Sequence, residues 1–339
     1  MKKTTLYFFI VVLLAACANN KENTPDVSGI KVDLKIERFD KDFFNLDTNN
    51  LVEGLQRLEA NYPAFYNDYM QGILGVNGAA NDLSTQKMTR VILNNYAPVY
   101  AAATQELSDF STIEKDLKKG FQFVKYYFPQ YRIPGIITFM GTFDAPGMAL
   151  TERYIGIGLH QYAGKNFEGY KSEQLRQLYP AYISRRFESQ YIPANVMKAV
   201  VTDLFPDKSA TKPLIEQMIE KGKQWWLLDK LLPGEPDSVK TGYTKQQLDW
   251  CRQNEGLMWS YMLKNEDLYS ITPSTIQIYI GEAPFTQAFS QELSPGNIGQ
   301  WIGWQIVRKF AENNPNLKPE DVMQTPAKKV LEESKYKPK

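Results

Sequence analysis

Apolar and polar positions trade places along this chain in two rhythms. From Val32 to Phe39 they alternate, which predicts a half-buried strand. From Asn50 to about Leu107 the spacing turns helical, with breaks at Pro63 and across Gly72 to Gly78. Ser111 to Glu114 has the Ser-x-x-Glu form of a capping box. The helix it opens carries a core-facing stripe of Ile113, Leu117, Phe121, Val124 and Phe128, and Pro129 closes it. Ile133–Met140 and Tyr154–His160 predict two strands, and Ala145-Pro146-Gly147 in the bend between them predicts a hairpin with a long connection. Beyond Gly169 the pattern is helical almost throughout, over about 172–188, 194–205, 211–232, 244–264, 296–313 and 319–334. Thr244 to Gln247 is a second capping box, and Thr275 to Ile280 reads as a short strand. No repeat or linker interrupts residues 31–339, so the pattern predicts one mostly helical α+β domain with a small sheet.

The first thirty residues follow another logic. Lys2 and Lys3 precede an apolar run from Leu6 to Ala16, too short for the ~20 residues that cross a bilayer, and residues 1–16 read as a secretory signal peptide. Leu14-Ala15-Ala16-Cys17 resembles the bacterial lipobox, in which the cysteine carries the lipid and becomes the first mature residue. Two acyl chains suffice for stable anchoring. Residues 17–30 are then expected to be a lipidated cysteine and a polar tether spanning on the order of 20 Å. With Cys17 lipidated, Cys251 is the remaining thiol, so no intrachain disulfide is expected. Its place in a helical pattern makes it a buried small hydrophobe.

Charge adds an exclusion. The 39 basic and 38 acidic side chains give +1, and without Lys2 and Lys3 the balance is 37 against 38, or −1, no footprint for nucleic acid. A single histidine, His160, excludes any metal site needing two imidazoles and weakens nucleophile–His schemes.

The order hairpin, helix, second helix in mid-chain is the layout of zincin metalloproteases, whose helix carries His-Glu-x-x-His. The corresponding stretch here, Asn195 to Phe205, has neither histidine nor glutamate, and only Thr202 or Asp203 offers a ligand. If the fold is zincin-like, its site is metal-free, and no cofactor is expected. Nucleophile-elbow, Walker, dinucleotide and calcium-loop motifs are all missing. A carboxylate-pair hydrolase or a sugar-binding protein acting on cell wall or surface polysaccharide stays open, because 38 acids allow many pairs. The tryptophans Trp225, Trp226, Trp250, Trp259, Trp301 and Trp304 sit at core-like helical spacings. His160 reads as a hydrogen-bonded strand-end residue or a contact residue. Ser294 to Trp304 places Gly299 and Gly303 four apart in a helix, where each costs roughly 1 kcal/mol against alanine. Close packing of another helix explains this. The alternative is a binding surface at the helix start, with Gly296, Asn297, Trp301 and His160 as candidate partner-binding residues.

Several of these strings resemble the GldB family of gliding motility lipoproteins of Bacteroidetes. They are the lipobox at Cys17, Ile155 to Gly164, Gly242-Tyr243-Thr244 with Trp250, Ala283-Pro284-Phe285, Ser294 to Gly299 and Trp301 to Val307. The resemblance implies a cell-envelope lipoprotein serving gliding, or protein export linked to it, and a distant metal-free relationship to zincin peptidases. It implies contact with the membrane through the lipid and with other envelope motility or secretion proteins, on the periplasmic side. Cys17 is the one functional residue it carries over.

Overall fold

The computed structural model describes residues 24–265 and 267–338. Cys17 and the signal segment lie outside the described residues. Packing begins within the stretch expected to be tether: Val27 is 5% exposed, the Ile30 N–H donates to its carbonyl (2.9 Å), and Gln122 Nε2 donates to the Ile30 carbonyl (2.9 Å). Two apolar side chains, Val27 and Val32, are enough to draw this segment onto the core.

The alternation at Val32–Phe39 yields only a two-residue strand, β1 (Ile36–Glu37), because Phe39 already opens α1 (Phe39–Phe44). The helical region beyond resolves into α2 (Leu51–Asn61), a π-helical turn at Asp68–Ile73, α3 (Leu83–Asn95) and α4 (Ala97–Glu106), with Pro63 and the Gly72–Gly78 stretch in the breaks. Helix α5 (Ser111–Tyr127) buries the expected stripe. Its capping box does not form: Phe110 is the N-cap, so Ser111 lies inside the helix and its N–H donates to Asp109 Oδ1 (2.8 Å).

The sheet departs from the expected hairpin. Strands β2 (Gly135–Phe139) and β4 (Tyr154–Gly158) pair parallel, Gly135 opposite Tyr154 and Phe139 opposite Gly158. The connection between them folds back as β3 (Met148–Leu150), antiparallel to β4, so the sheet order is β1-β2-β4-β3 with β1 parallel to β2. The actual hairpin is β3–β4, closed where the Thr151 N–H donates to the Tyr154 carbonyl (2.9 Å). An aromatic cluster of Phe39, Phe43, Phe65, Tyr69 and Phe139 packs mostly edge-to-face against the sheet. Buried Asp40 ties α1 to β2, accepting two bonds from Arg38 (2.9 and 2.7 Å), one from Thr138 Oγ1 and one from the Tyr100 hydroxyl (3.2 Å).

The rest is helical, as the pattern predicts, with proline and asparagine cutting three of the expected stretches. These become α6 (Glu173–Leu178) and α7 (Ala181–Ser184) around Pro180, then α8 (Ile192–Leu204), α9 (Leu214–Leu231) and α10 (Asp237–Thr241). Next come α11 (Lys245–Gln253) and α12 (Glu255–Lys264), divided at Asn254. The predicted strand at Thr275–Ile280 is instead α13 (Pro273–Ile280), with the helix-starting Pro273 in its first turn. Last are α14 (Ile298–Asn313) and the pair α15 (Pro319–Gln324) and α16 (Ala327–Ser334), divided at Pro326. The second capping box is present in full, with Thr244 Oγ1 accepting from the Gln247 N–H (3.1 Å) and Gln247 Oε1 from the Thr244 N–H (3.0 Å). One contiguous core runs from Val27 to Val330.

Candidate functional site

The strings on which the resemblance rests fold into two corners, joined by α8. At the first, β4 runs into a short 3₁₀ turn, Leu159–Gln161, that turns His160 fully inward. Its Nδ1 accepts from the Gly141 N–H (3.2 Å) and its Nε2 donates to the Ala145 carbonyl (3.1 Å), which defines the Nε2–H tautomer. Glycines make the room: a Cβ on Gly158 would stand 2.5 Å from His160 Cε1. Burial lowers the imidazole to about 4, against the opposing pull of the Ala145 bond and the Asp144 charge. At neutral pH the ring is uncharged, with both nitrogens occupied, and it fastens the loop after β2 to the end of β4. A cavity of about 840 Å³ lies beyond that loop, lined by Tyr96, Val99, Phe143, Asp144, Phe167 and Leu178 among others, and His160 is not in its wall.

Helix α8, which carries the Asn195–Phe205 stretch, packs against β3 and β4 and against α5 and α9. Asn195 Nδ2 donates to the Tyr162 hydroxyl (2.9 Å), Thr202 Oγ1 to the Lys198 carbonyl (3.0 Å), and Asp203 Oδ2 accepts from the Tyr131 hydroxyl (2.8 Å). Both potential ligands on this helix are thus engaged elsewhere. Among the described residues, no group of three or more His, Cys, Asp or Glu side chains is placed to hold a metal ion.

What α8 does carry toward the second corner is Lys198, half-buried, in no hydrogen bond or ion pair with a described residue. Desolvation, reinforced by the Arg186 charge and opposed by Glu282, brings its ammonium down to about 8. Arg186 pairs with Glu282 (3.1 Å) and crosses Gly242, where a Cβ would stand 2.7 Å from its Cδ. Gly242 closes α10 at φ +78°, which glycine adopts without strain. Arg185 donates to the Gly242 carbonyl (2.9 Å) and to Gln247 Oε1 (3.0 Å). Three cations thus gather near one carboxylate, which Arg186 alone among them contacts, an arrangement no spacing along the chain announces.

Beside them, Tyr243 places its hydroxyl 2.6 Å from Asn297 Oδ1 and 3.0 Å from the Gly296 carbonyl. Asn297 starts α14 in the left-handed region (φ +46°). A Cβ on Gly296 would overlap the Ala283 carbonyl, so the 283–285 and 294–297 strings lie backbone against backbone. Further along α14, a Cβ on Gly303 would overlap Met218 O, and one on Gly222 would overlap the Gly303 carbonyl group. The glycine spacing therefore reports close helix packing, between α14 and α9. Trp301 is buried edge-to-face on Trp304 (5.4 Å), with its indole N–H unpartnered among the described residues. Trp304 Nε1 donates to Asp229 (2.9 Å), which also binds Lys240 (2.5 Å) and Arg308 (2.8 Å), while Arg308 lies 3.5 Å over the Trp304 ring. All four candidate contact residues, His160, Gly296, Asn297 and Trp301, are thus buried.

The remaining titratable groups are dispersed. The buried Cys251 thiol is pushed up by desolvation, away from thiolate character. Two acids are raised, Glu235 by burial and the Asp116 charge, and Glu255 by burial despite accepting from the Tyr336 hydroxyl (2.7 Å). A cavity of about 520 Å³ contains Asp207 and Glu220, held by Lys221 (2.8 Å) and Lys223 (2.7 Å). Lys223 in turn reaches the Thr325 carbonyl (2.6 Å) at the end of α15. No helix among the described residues is long and apolar enough to cross a membrane.

These corners define a mostly helical α+β protein in which His160, Asn297 and Asp229 are bonded to its own interior, while Lys198 pairs with no described residue. The model of the family described as gliding motility protein GldB matches residues 20–338, and the chain belongs to that family. It is thereby a member of a gliding-motility lipoprotein family. No curated protein and no solved structure matches it.

Proposed function

We propose that the protein is a lipid-anchored component of the cell envelope, facing the periplasm. It supports gliding motility, or a protein-export machine linked to it, through contacts with other envelope proteins and catalyses no reaction. The observation that carries this reading is the commitment of the histidine, the thiol and the two potential metal ligands of α8. His160 is neutral with both nitrogens bonded, Cys251 is a buried thiol, and Thr202 and Asp203 on α8 are tied to neighbouring groups. Family membership supplies the process, and the lipobox at Cys17 supplies the anchor.

Anchoring is tested by Cys17→Ala, which is expected to move the protein from the membrane to the soluble fraction; membrane retention of the variant overturns it. Metal analysis of the purified protein is expected to find no stoichiometric zinc, and one zinc per chain would defeat the metal-free reading. In-cell crosslinking of the anchored protein is expected to capture motility or export components; a protein that crosslinks only to itself removes the contact role.

A further inference from the structure

The N-terminal segment joins the body of the protein on α5, and this fixes which side faces the anchor. Val27 is buried, one turn from Ile30, and Ile30 is held by Gln122 of α5 (2.9 Å). Cys17 precedes Val27 by ten residues (27 − 17). Ten residues reach at most about 36 Å when extended and average about 17 Å as a flexible chain. A lipid on Cys17 therefore keeps the α5 side close to the leaflet.

That side of α5 is sorted by charge. At 3.6 residues per turn, Lys115, Lys118, Lys119 and Tyr126 all fall within about 60° of Gln122, whereas Glu114 and Asp116 fall about 80° and 120° away. The three lysines are exposed and form no ion pair with a described residue, and Tyr126 is 49% exposed. Lys125 is not part of this set, because its Nζ donates to the carbonyls of Pro129 (3.0 Å) and Tyr131 (2.8 Å). Exposed Lys31 follows Ile30 directly. The nearby acid Asp26 is turned onto the Ser28 N–H (2.9 Å). Lysines thus cluster where the chain enters, with the acids of the helix at the margins.

We propose that this face of α5 docks on the membrane that holds the anchor. Lys31, Lys115, Lys118 and Lys119 rest on anionic phospholipid headgroups, and Tyr126 sits at the interface, where amphipathic rings are favoured. The inference rests on the lipid-anchoring reading. Each lysine gains only modestly at an anionic surface and the attraction is screened by salt, so the face orients a protein the lipid already holds.

The test uses the full lipidated protein in vesicles of phosphatidylcholine with or without phosphatidylglycerol. A fluorophore is placed at Ser111→Cys on the α5 face or, for comparison, at Tyr269→Cys, where the native side chain is 70% exposed. Nitroxide-headgroup lipids serve as quenchers. The expected result is several-fold stronger quenching at 111 than at 269 in phosphatidylglycerol vesicles. That excess should disappear in high salt and in the Lys115→Glu, Lys118→Glu, Lys119→Glu variant. Equal quenching, stronger quenching at 269, or indifference to charge reversal overturns the proposal; stronger quenching at 269 would move the docking face to the exposed Tyr269 and Ile271. Mass spectrometry first establishes whether Cys17 carries lipid. An unlipidated chain overturns the anchoring reading, and the docking proposal is then tested on the same protein coupled through Cys17 to a maleimide lipid.

Discussion

Around the sheet, glycines make room for side chains. Gly141 and Gly158 leave space for the His160 ring, and Gly156 for the ring of Phe139. Between α9 and α14, Gly222 and Gly303 make room for backbone, and each helix presses on the other's peptide groups. The ion-paired carboxylates of the two regions differ in the same sense. Asp40 near the sheet takes its one cation from two residues away, at Arg38, whereas Asp229 gathers Lys240 and Arg308 from two other helices. A crowded side chain can turn aside, but a crowded carbonyl can move only with its helix. The helical half should therefore be the less forgiving of the two.

The largest test of that contrast is one added methyl group. Gly303→Ala is expected to lower unfolding stability by more than about 3 kcal/mol in urea titrations, against about 1 kcal/mol for Gly156→Ala, where Phe139 has only to shift by a few tenths of an ångström. Similar losses in the two variants would erase the distinction. Asp229→Asn should come next, at about 2–3 kcal/mol, because it removes the nearest counterion of buried Lys240 and leaves Lys240 and Arg308 only Asp237, at 3.1 and 3.8 Å. Asp40→Asn should cost about 1–3 kcal/mol, since Arg38 can turn toward water.

His160 tests the sheet half by pH. Its folded value near 4 lies below the ordinary 6.5, so the unfolded chain takes up the proton first. The stability it contributes is complete above pH 6.5 and lost as pH falls through 4, in all about 3 kcal/mol. His160→Gln should remove that component from a stability–pH curve; a curve parallel to wild type between pH 6.5 and 4 would show the ring to be readily protonated. Smallest is the capping comparison, with about 1 kcal/mol expected for Thr244→Ala and almost none for Ser111→Ala.

Helices with a full apolar stripe, such as α5, were legible because each turn repeats the same local test of what lies inward. The strand readings failed where pairing was decided at a distance. Nothing between Met140 and Tyr154 marks that the chain turns back as β3 before β4 pairs parallel with β2. In Thr275–Ile280 the alternating isoleucines mimic a strand, and only Tyr279 of α13 is buried. The tight packing of α14 could be anticipated from Gly299 and Gly303, four apart on one helix, but its partner Gly222 stands some eighty residues away. The charged corner at Lys198, Arg186 and Glu282 was illegible for the same reason, since three separate elements supply it. Glycine or asparagine before a helix signals neither surface nor core, and the residues that enclose Gly296 and Asn297, Ala283 and Tyr243, come from other parts of the chain.

The early docking of Val27 has a consequence for kinetics as well as for orientation. For a lipid-anchored chain, a leash of about 36 Å confines the domain to a shallow shell over the membrane. Within such a shell the domain meets a neighbour in the same leaflet at an effective concentration on the order of millimolar. Contacts too weak to survive dilution would then be enough to hold it in an assembly, and extraction from the membrane would dissolve them without altering a single residue of the fold.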